Sequence, residues 1–279
     1  MTNYVLNLSK MKTALNDKSA QYYLPINDEN NNYPLMNDWL GKTIRIEYLG
    51  EINCVYCNRL SKKSFGQGYC YPCFRKLAQC DLCLMKPETC HYHLGTCREP
   101  KWGETHCFID HIIYLANTGD VKVGITRLTN TPHRWIDQGA TEVLPIMATK
   151  NRLISGLVEV ALKSHIGDKT NWRKMLQGKP ESKPLNMIKE SILNSAKDEL
   201  ENIKRANGED AFFVKDDEHF EIDYPVLAYP QKIKSFNLDK TNLFSGELIG
   251  IKGQYLILDT GVINLRKFTG YKVKLNISN

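Results

Sequence analysis

The stretch HIIYLANTGDVKVGITRLTNTPHRW, residues 111–135, decides how the middle of this chain folds. Two apolar runs, IIYLA and VKVGIT, flank NTGD, whose Asn, Gly and Asp favour tight turns. The pattern predicts a β-hairpin. PHRWIDQ then reads as a short helix, ended by Gln138-Gly139 with the glycine supplying a positive φ. VLPIMA follows as a strand, and a helix runs from about Asn151 to Ile166. Together these predict a compact α/β unit over 109–178.

Upstream lie all nine cysteines, between Cys54 and Cys107. An odd count with CxxC spacings argues against a disulfide scaffold, and the N-terminal segment MTNYVLNLSKMKTALND is too polar for a secretory signal. CVYC at Cys54 and Cys57 and CYPC at Cys70 and Cys73 are two knuckles at zinc-ribbon spacing. Zn²⁺ takes four soft ligands tetrahedrally, and a CxxC turn lets two thiolates reach one ion. A second zinc is expected further on. Cys80, Cys83, Cys90 and Cys97 form its simplest ligand set, and Cys107 with His111 can replace part of it. Both are structural sites, because four protein ligands leave no open position. Arg59, Lys62, Lys63, Arg75 and Lys76 sit among the knuckles.

The chain of 279 residues is 42% hydrophobic, enough for two or three modest cores. Its net charge of +6 is uneven: 20 Lys and Arg stand against 13 Asp and Glu between Lys42 and Ser182. That basic middle favours a polyanionic partner. No apolar run is long enough to span a bilayer, so the expectation is a cytoplasmic protein without membrane contact. Nothing in the sequence calls for an organic cofactor.

Outside the middle, residues 1–53 carry a short apolar start, the loop-like NDENNNYPLMND at 27–38 and the alternating strand TIRIEYLGEI. GKPESKP leads into a helical spacer, 179–208, where Leu185, Ile188, Ile192, Ala196, Leu200 and Ile203 mark one face at helical spacing. From 209 to 279, short β-branched runs alternate with Gly-containing turns, predicting a small antiparallel sheet or barrel. Arg266, Lys267, Phe268 and Tyr271 near its end suit single-stranded nucleic acid, unless the aromatics belong to the domain's own core. The cysteine region is 54–108. The fold class expected is α+β: a zinc-ribbon-like region, a small α/β domain and a β domain.

IIYLANTGDVKVGITR…HRW, taken with GLVEVALK and DKTNWRKML, resembles the GIY-YIG nuclease-like superfamily. It is most similar to the bacterial and viral branches in which the second half of the motif reads KIG or KVG, followed by IT. The whole arrangement, cysteines included, looks like an uncharacterised bacterial family. The resemblance covers about residues 109–176. It implies a three-stranded antiparallel sheet flanked by helices and a divalent-metal-dependent nuclease acting on DNA or RNA. Tyr114 matches the tyrosine of the first motif half, and Lys122-Val123-Gly124 takes the place of Tyr-Ile-Gly. Arg134 matches the helix arginine, Glu159 the metal-binding glutamate and Asn171 the late asparagine. In family nucleases the glutamate holds one Mg²⁺ or Mn²⁺, the tyrosine helps activate water, and the arginine binds the scissile phosphate. The second tyrosine is absent here. Lys122 in its place leaves two alternatives to cleavage: a nucleic-acid (RNA) binding domain that does not cut, and a zinc-based interaction scaffold.

From the residues alone, Glu159 shares a helix face with Arg152, Gly156 and Lys163. Gly156, one turn earlier, permits close approach of a ligand or backbone. Asp137, three residues after Arg134, is a candidate ion-pair partner for it. Asn171 is a candidate helix N-cap.

Overall fold

The computed structural model describes residues 2–26, 32–167, 169–216 and 218–279, so part of the loop expected at 27–38 lies outside the described residues. The strands are β1 (Thr2–Asn7), β2 (Lys12–Asn16), β3 (Ser19–Tyr23), β4 (Thr43–Ile52), β5 (His111–Asn117), β6 (Val121–Arg127) and β7 (Glu142–Thr149). Then come β8 (Phe212–Val214), β9 (Phe220–Glu221), β10 (Leu243–Lys252), β11 (Tyr255–Leu258), β12 (Gly261–Asn264) and β13 (Tyr271–Ser278). The helices are α1 (Tyr71–Lys76), α2 (Pro100–His106), α3 (His133–Asp137), α4 (Arg152–Lys163), α5 (Trp172–Leu176), α6 (Leu185–Ser195) and α7 (Lys197–Asn207). The class is α+β with antiparallel sheets.

All seven residues of β5 are buried, which is why it reads as an unbroken apolar run and not as an alternation. It is an inner strand of the order β6-β5-β7-β8, with β9 also paired to β7. Ile113 and Leu115 face one core with Ile154, Val158 and Leu162 of α4 and Leu185, Ile192 and Leu200 of α6 and α7. Ile112, Tyr114 and Ala116 face the opposite core, shared with the second large sheet. The hairpin therefore lies between a helical layer and a sheet.

The second sheet joins segments expected to be separate. Its order is β1-β13-β4-β10-β11-β12, so strands from 1–53 pair with strands from 209–279. Ile46 of β4 lies between Leu275 of β13 and Phe244 of β10, and Thr2 pairs with Ile277. Neither segment is a unit by itself, because each contributes alternate strands to one hydrogen-bonded ladder. β8 and β9 leave the tail as well, adding to the middle sheet through β7. The helix expected over 185–205 divides at Ala196, which is fully buried and leaves helical ψ. Its apolar face does not space two units apart; it covers the middle sheet.

Candidate functional site

Tyr114 and Gly124 sit opposite each other in the β5–β6 ladder. A Cβ on Gly124 would lie 2.8 Å from both the Tyr114 Cζ and its hydroxyl. The hydroxyl end of the phenol thus packs against the glycine, and the two motif halves are one packed pair. Trp135 of α3 closes the ring edge-on at 6.1 Å between centroids.

The hydroxyl ends at the floor of a cleft of about 540 Å³. β5 and β6 contribute Tyr114, Lys122, Gly124 and Arg127, α3 contributes Arg134 and Gln138, and α4 contributes Arg152 and Glu159. Arg266 arrives from the turn before β13, and Leu84, Pro87, Trp102 and His106 of the cysteine region form another side. Five cations face one carboxylate, Glu159. Such a cleft concentrates anions.

Around the phenol the partners are fixed. Lys122 Nζ donates to Gln138 Oε1, and Gln138 Nε2 donates to Tyr114 Oη at 2.5 Å. Lysine is a pure donor, so the amide orientation is determined. Burial raises the Tyr114 pKa against the opposing pull of Arg134 and Gln138, with Glu159 adding to the rise. Tyr114 is accordingly a neutral phenol at physiological pH. Arg134 does not pair with Asp137. That carboxylate turns away to Lys10 and to Gln254 Nε2 at 2.8 Å, leaving Arg134 beside the Tyr114 hydroxyl.

The first cysteine cluster has metal-site geometry. The Sγ atoms of Cys54, Cys57, Cys70 and Cys73 all lie within 4.8 Å of one another. Cys57 and Cys70 are 3.7 Å apart, close to the ~3.8 Å edge of a tetrahedron with Zn–S of about 2.3 Å. Cys70 is the N-cap of α1 and Cys73 lies in its first turn, so helical spacing brings both thiols to one side. Burial raises the Cys54 thiol, but the backbone amides of Cys57, Cys70 and Tyr56 outweigh it and hold it at about 6. Burial and the neighbouring thiols push Cys73 up to about 12. Four sulfur donors this close could hold one metal ion, and the donor set suits Zn²⁺.

Residues 41–273 match the family model described as "Protein of unknown function (DUF2797)". The chain belongs to the DUF2797 family. No curated protein and no solved structure matches it. Among its described residues, no helix is long and apolar enough to cross a membrane.

The DUF2797 chain gathers four of the five residues carried over by resemblance: Tyr114, Lys122, Arg134 and Glu159 all line the cleft. Asn171 does not. It is exposed and caps α5, its Oδ1 accepting from Lys174 N at 3.2 Å, the use an asparagine before a helix commonly has. Gly156 serves a backbone approach and not a ligand: a Cβ there would stand 2.5 Å from Glu88 N. Of the tail residues, Phe268 and Tyr271 are buried in the sheet's own core, and only Arg266 turns to the cleft.

Of the second cysteine set, Cys83, Cys90 and Cys97, with the alternative Cys107, line one small cavity, and Cys80 and His111 are not among its lining residues. His111 is fully buried at the start of β5 with Nδ1 on the Ile109 carbonyl at 2.7 Å, and burial pushes its pKa down to about 4. Arg127 is a cleft residue with no signal in the sequence, while Gln138 was legible only as a helix end and Arg266 only as a basic residue of the tail. They come from three separate segments, and only tertiary packing unites them.

Proposed function

We propose that the DUF2797 chain binds nucleic acid through its phosphodiester backbone in this cleft and cleaves it with a divalent cation at Glu159. The observation that carries the reading is the convergence of Arg127, Arg134, Arg152 and Arg266 with a neutral Tyr114 and one carboxylate in a single cleft. The resemblance to GIY-YIG nucleases rests on the same residues.

Arginine forks match phosphate oxygens, and preorganised cations stabilise charge developing on a transferring phosphoryl group. Arg134, beside the Tyr114 hydroxyl, is the one placed to hold the scissile phosphate. Tyr114 accepts from Gln138, so its own proton is available to a phosphate oxygen or an incoming water. Lys122 acts as a positioning residue through Gln138. Among the described residues, Glu159 belongs to no cluster of three or more metal donors. A Mg²⁺ or Mn²⁺ there would draw further ligands from substrate phosphate and water, a common arrangement for this ion. When bound it supplies Lewis-acid stabilisation of the phosphoryl oxygens.

A second reading, binding without cleavage, is favoured by one observation. Lys122 stands where the resemblance calls for a second phenol, and its amine is buried and engaged with Gln138. The test incubates zinc-loaded wild type and Glu159→Ala with labelled DNA, structured RNA and single strands in Mg²⁺ or Mn²⁺. Cutting by wild type alone supports the nuclease. Binding by both with cutting by neither overturns it in favour of the second reading.

A further inference from the structure

Thr96 settles which nitrogen of His91 is free. Its hydroxyl donates its single proton to the His91 carbonyl at 3.2 Å, so the oxygen accepts from His91 Nδ1–H at 2.7 Å. In the neutral ring Nε2 is then the nitrogen with an open lone pair, and it faces Asp81 Oδ2 at 3.6 Å. That separation is too long for a hydrogen bond. It is close to the ~3.4 Å expected between a nitrogen and an oxygen ligand on one tetrahedral zinc ion. The Cys83 sulfur completes the group: donor atoms of Asp81, Cys83 and His91 all lie within 4.8 Å of one another. We propose that these three residues hold a zinc ion whose fourth position is open to water.

Sulfur, imidazole nitrogen and carboxylate oxygen are the three protein donor types zinc takes. Thiolate and carboxylate together neutralise its charge. The three residues line a small cavity of about 20 Å³, room for one water-sized or ion-sized occupant. Both outer contacts are of the kind that orients metal ligands. Thr96 holds the histidine ring, and Arg98 Nε meets the Asp81 carboxylate at 2.7 Å while its Nη1 donates to the Phe74 and Leu77 carbonyls at 3.2 Å each. Among the described residues no fourth Cys, His, Asp or Glu donor joins the three within the same distance. With 28% of the His91 side chain and 12% of that of Asp81 exposed, solvent reaches the group. Three protein ligands and a water are the pattern of zinc sites that keep an open position. The centre thus differs in kind from the four-cysteine cluster, and of the second cysteine set only Cys83 belongs to it.

The ion closes the loop 81–91, which carries Leu84, Met85 and Pro87 of the cleft wall. Within that loop the regular structure is single 3-10 turns, and Leu82 and Met85 are 60% and 80% exposed. Little apolar burial orders it, so a metal clip contributes directly to its folding.

The test is the zinc content of the full chain by mass spectrometry, which needs no nucleic acid and is independent of whether the cleft cleaves. Wild type should hold two zinc ions, and Asp81→Ala, Cys83→Ser and His91→Ala one each. Cys90→Ser, Cys97→Ser and Cys107→Ser, which alter other thiols of the same cavity, should keep two. If a variant does not fold, cobalt-loaded wild type decides: the second Co²⁺ should show a single-thiolate charge-transfer band beside the all-thiolate spectrum of the first. One metal per chain would leave the three residues as an ion-pair cluster and overturn the assignment. So would a second Co²⁺ with several thiolates, or a folded Cys90, Cys97 or Cys107 variant that loses its second zinc.

Discussion

Gln138 donates to the Tyr114 hydroxyl at 2.5 Å from an amide whose oxygen is held by Lys122, so the phenol's own proton is directed away from both. Gln138→Leu keeps the volume and removes this orientation. It should lower the single-turnover cleavage rate by about ten- to a hundredfold, with substrate affinity nearly unchanged, since lost preorganisation affects the reacting state most. A matching fall in affinity would show that Gln138 contacts substrate instead.

Arg266 reaches the cleft from the far end of the chain, tethered by Gln67 Oε1 at 2.7 Å. Arg266→Ala should weaken nucleic-acid binding at all sequences alike and reduce the slope of log K against log salt by about one. Lys267, next in sequence but exposed and outside the cleft, serves as the control. Lys267→Ala should leave the slope unchanged in a fluorescence-anisotropy titration.

Gly124→Ala would place a methyl group 2.8 Å from the Tyr114 hydroxyl. Overpacking of this kind costs about 1–3 kcal/mol, read from urea denaturation. In a Tyr114→Leu background the same change should cost clearly less, because the clash is with the ring. Equal costs in both backgrounds would mean that the glycine answers to the strand and not to the tyrosine.

Lys252 is fully buried, with Nζ on the Gly178 carbonyl at 3.0 Å, and burial pushes its pKa down from 10.5 to about 8. The unfolded chain therefore binds more protons between pH 8 and 10.5, and wild-type stability rises with pH through that window. Lys252→Met should be the more stable protein at pH 7, by at most about 3 kcal/mol. Its advantage should shrink toward pH 10, measured as urea midpoints under reducing conditions.

How far the sequence carried the reading depended on how local each feature was. The hairpin, the strand at 43–52, the first cysteine cluster and the apolar face at 185–203 follow from periodicity and spacing within a few turns. The pairing of β4 with β10 and β13 does not, because any alternating strand presents the same ladder to any partner. Which cysteines of the second group converge was equally out of reach of spacing alone: separate 3-10 turns carry Cys80 and Cys83, and of these two only Cys83 joins Cys90, Cys97 and Cys107 in lining the small cavity. Gly156 was read correctly as a point of close approach, while the loop that approaches it was legible only in three dimensions.

The six-stranded sheet also sets the order in which this protein is completed. β4 lies between β10 and β13, more than 200 residues later in the chain for β13, and at about 5–20 residues per second a ribosome needs tens of seconds to supply them. Until then β1 and β4 have open edges. The turn that delivers Arg266 precedes β13 directly, so the cleft gains that cation in the same step that closes the sheet. A nascent or truncated chain thus has an incomplete cleft, and the folding of the last strand supplies its final arginine.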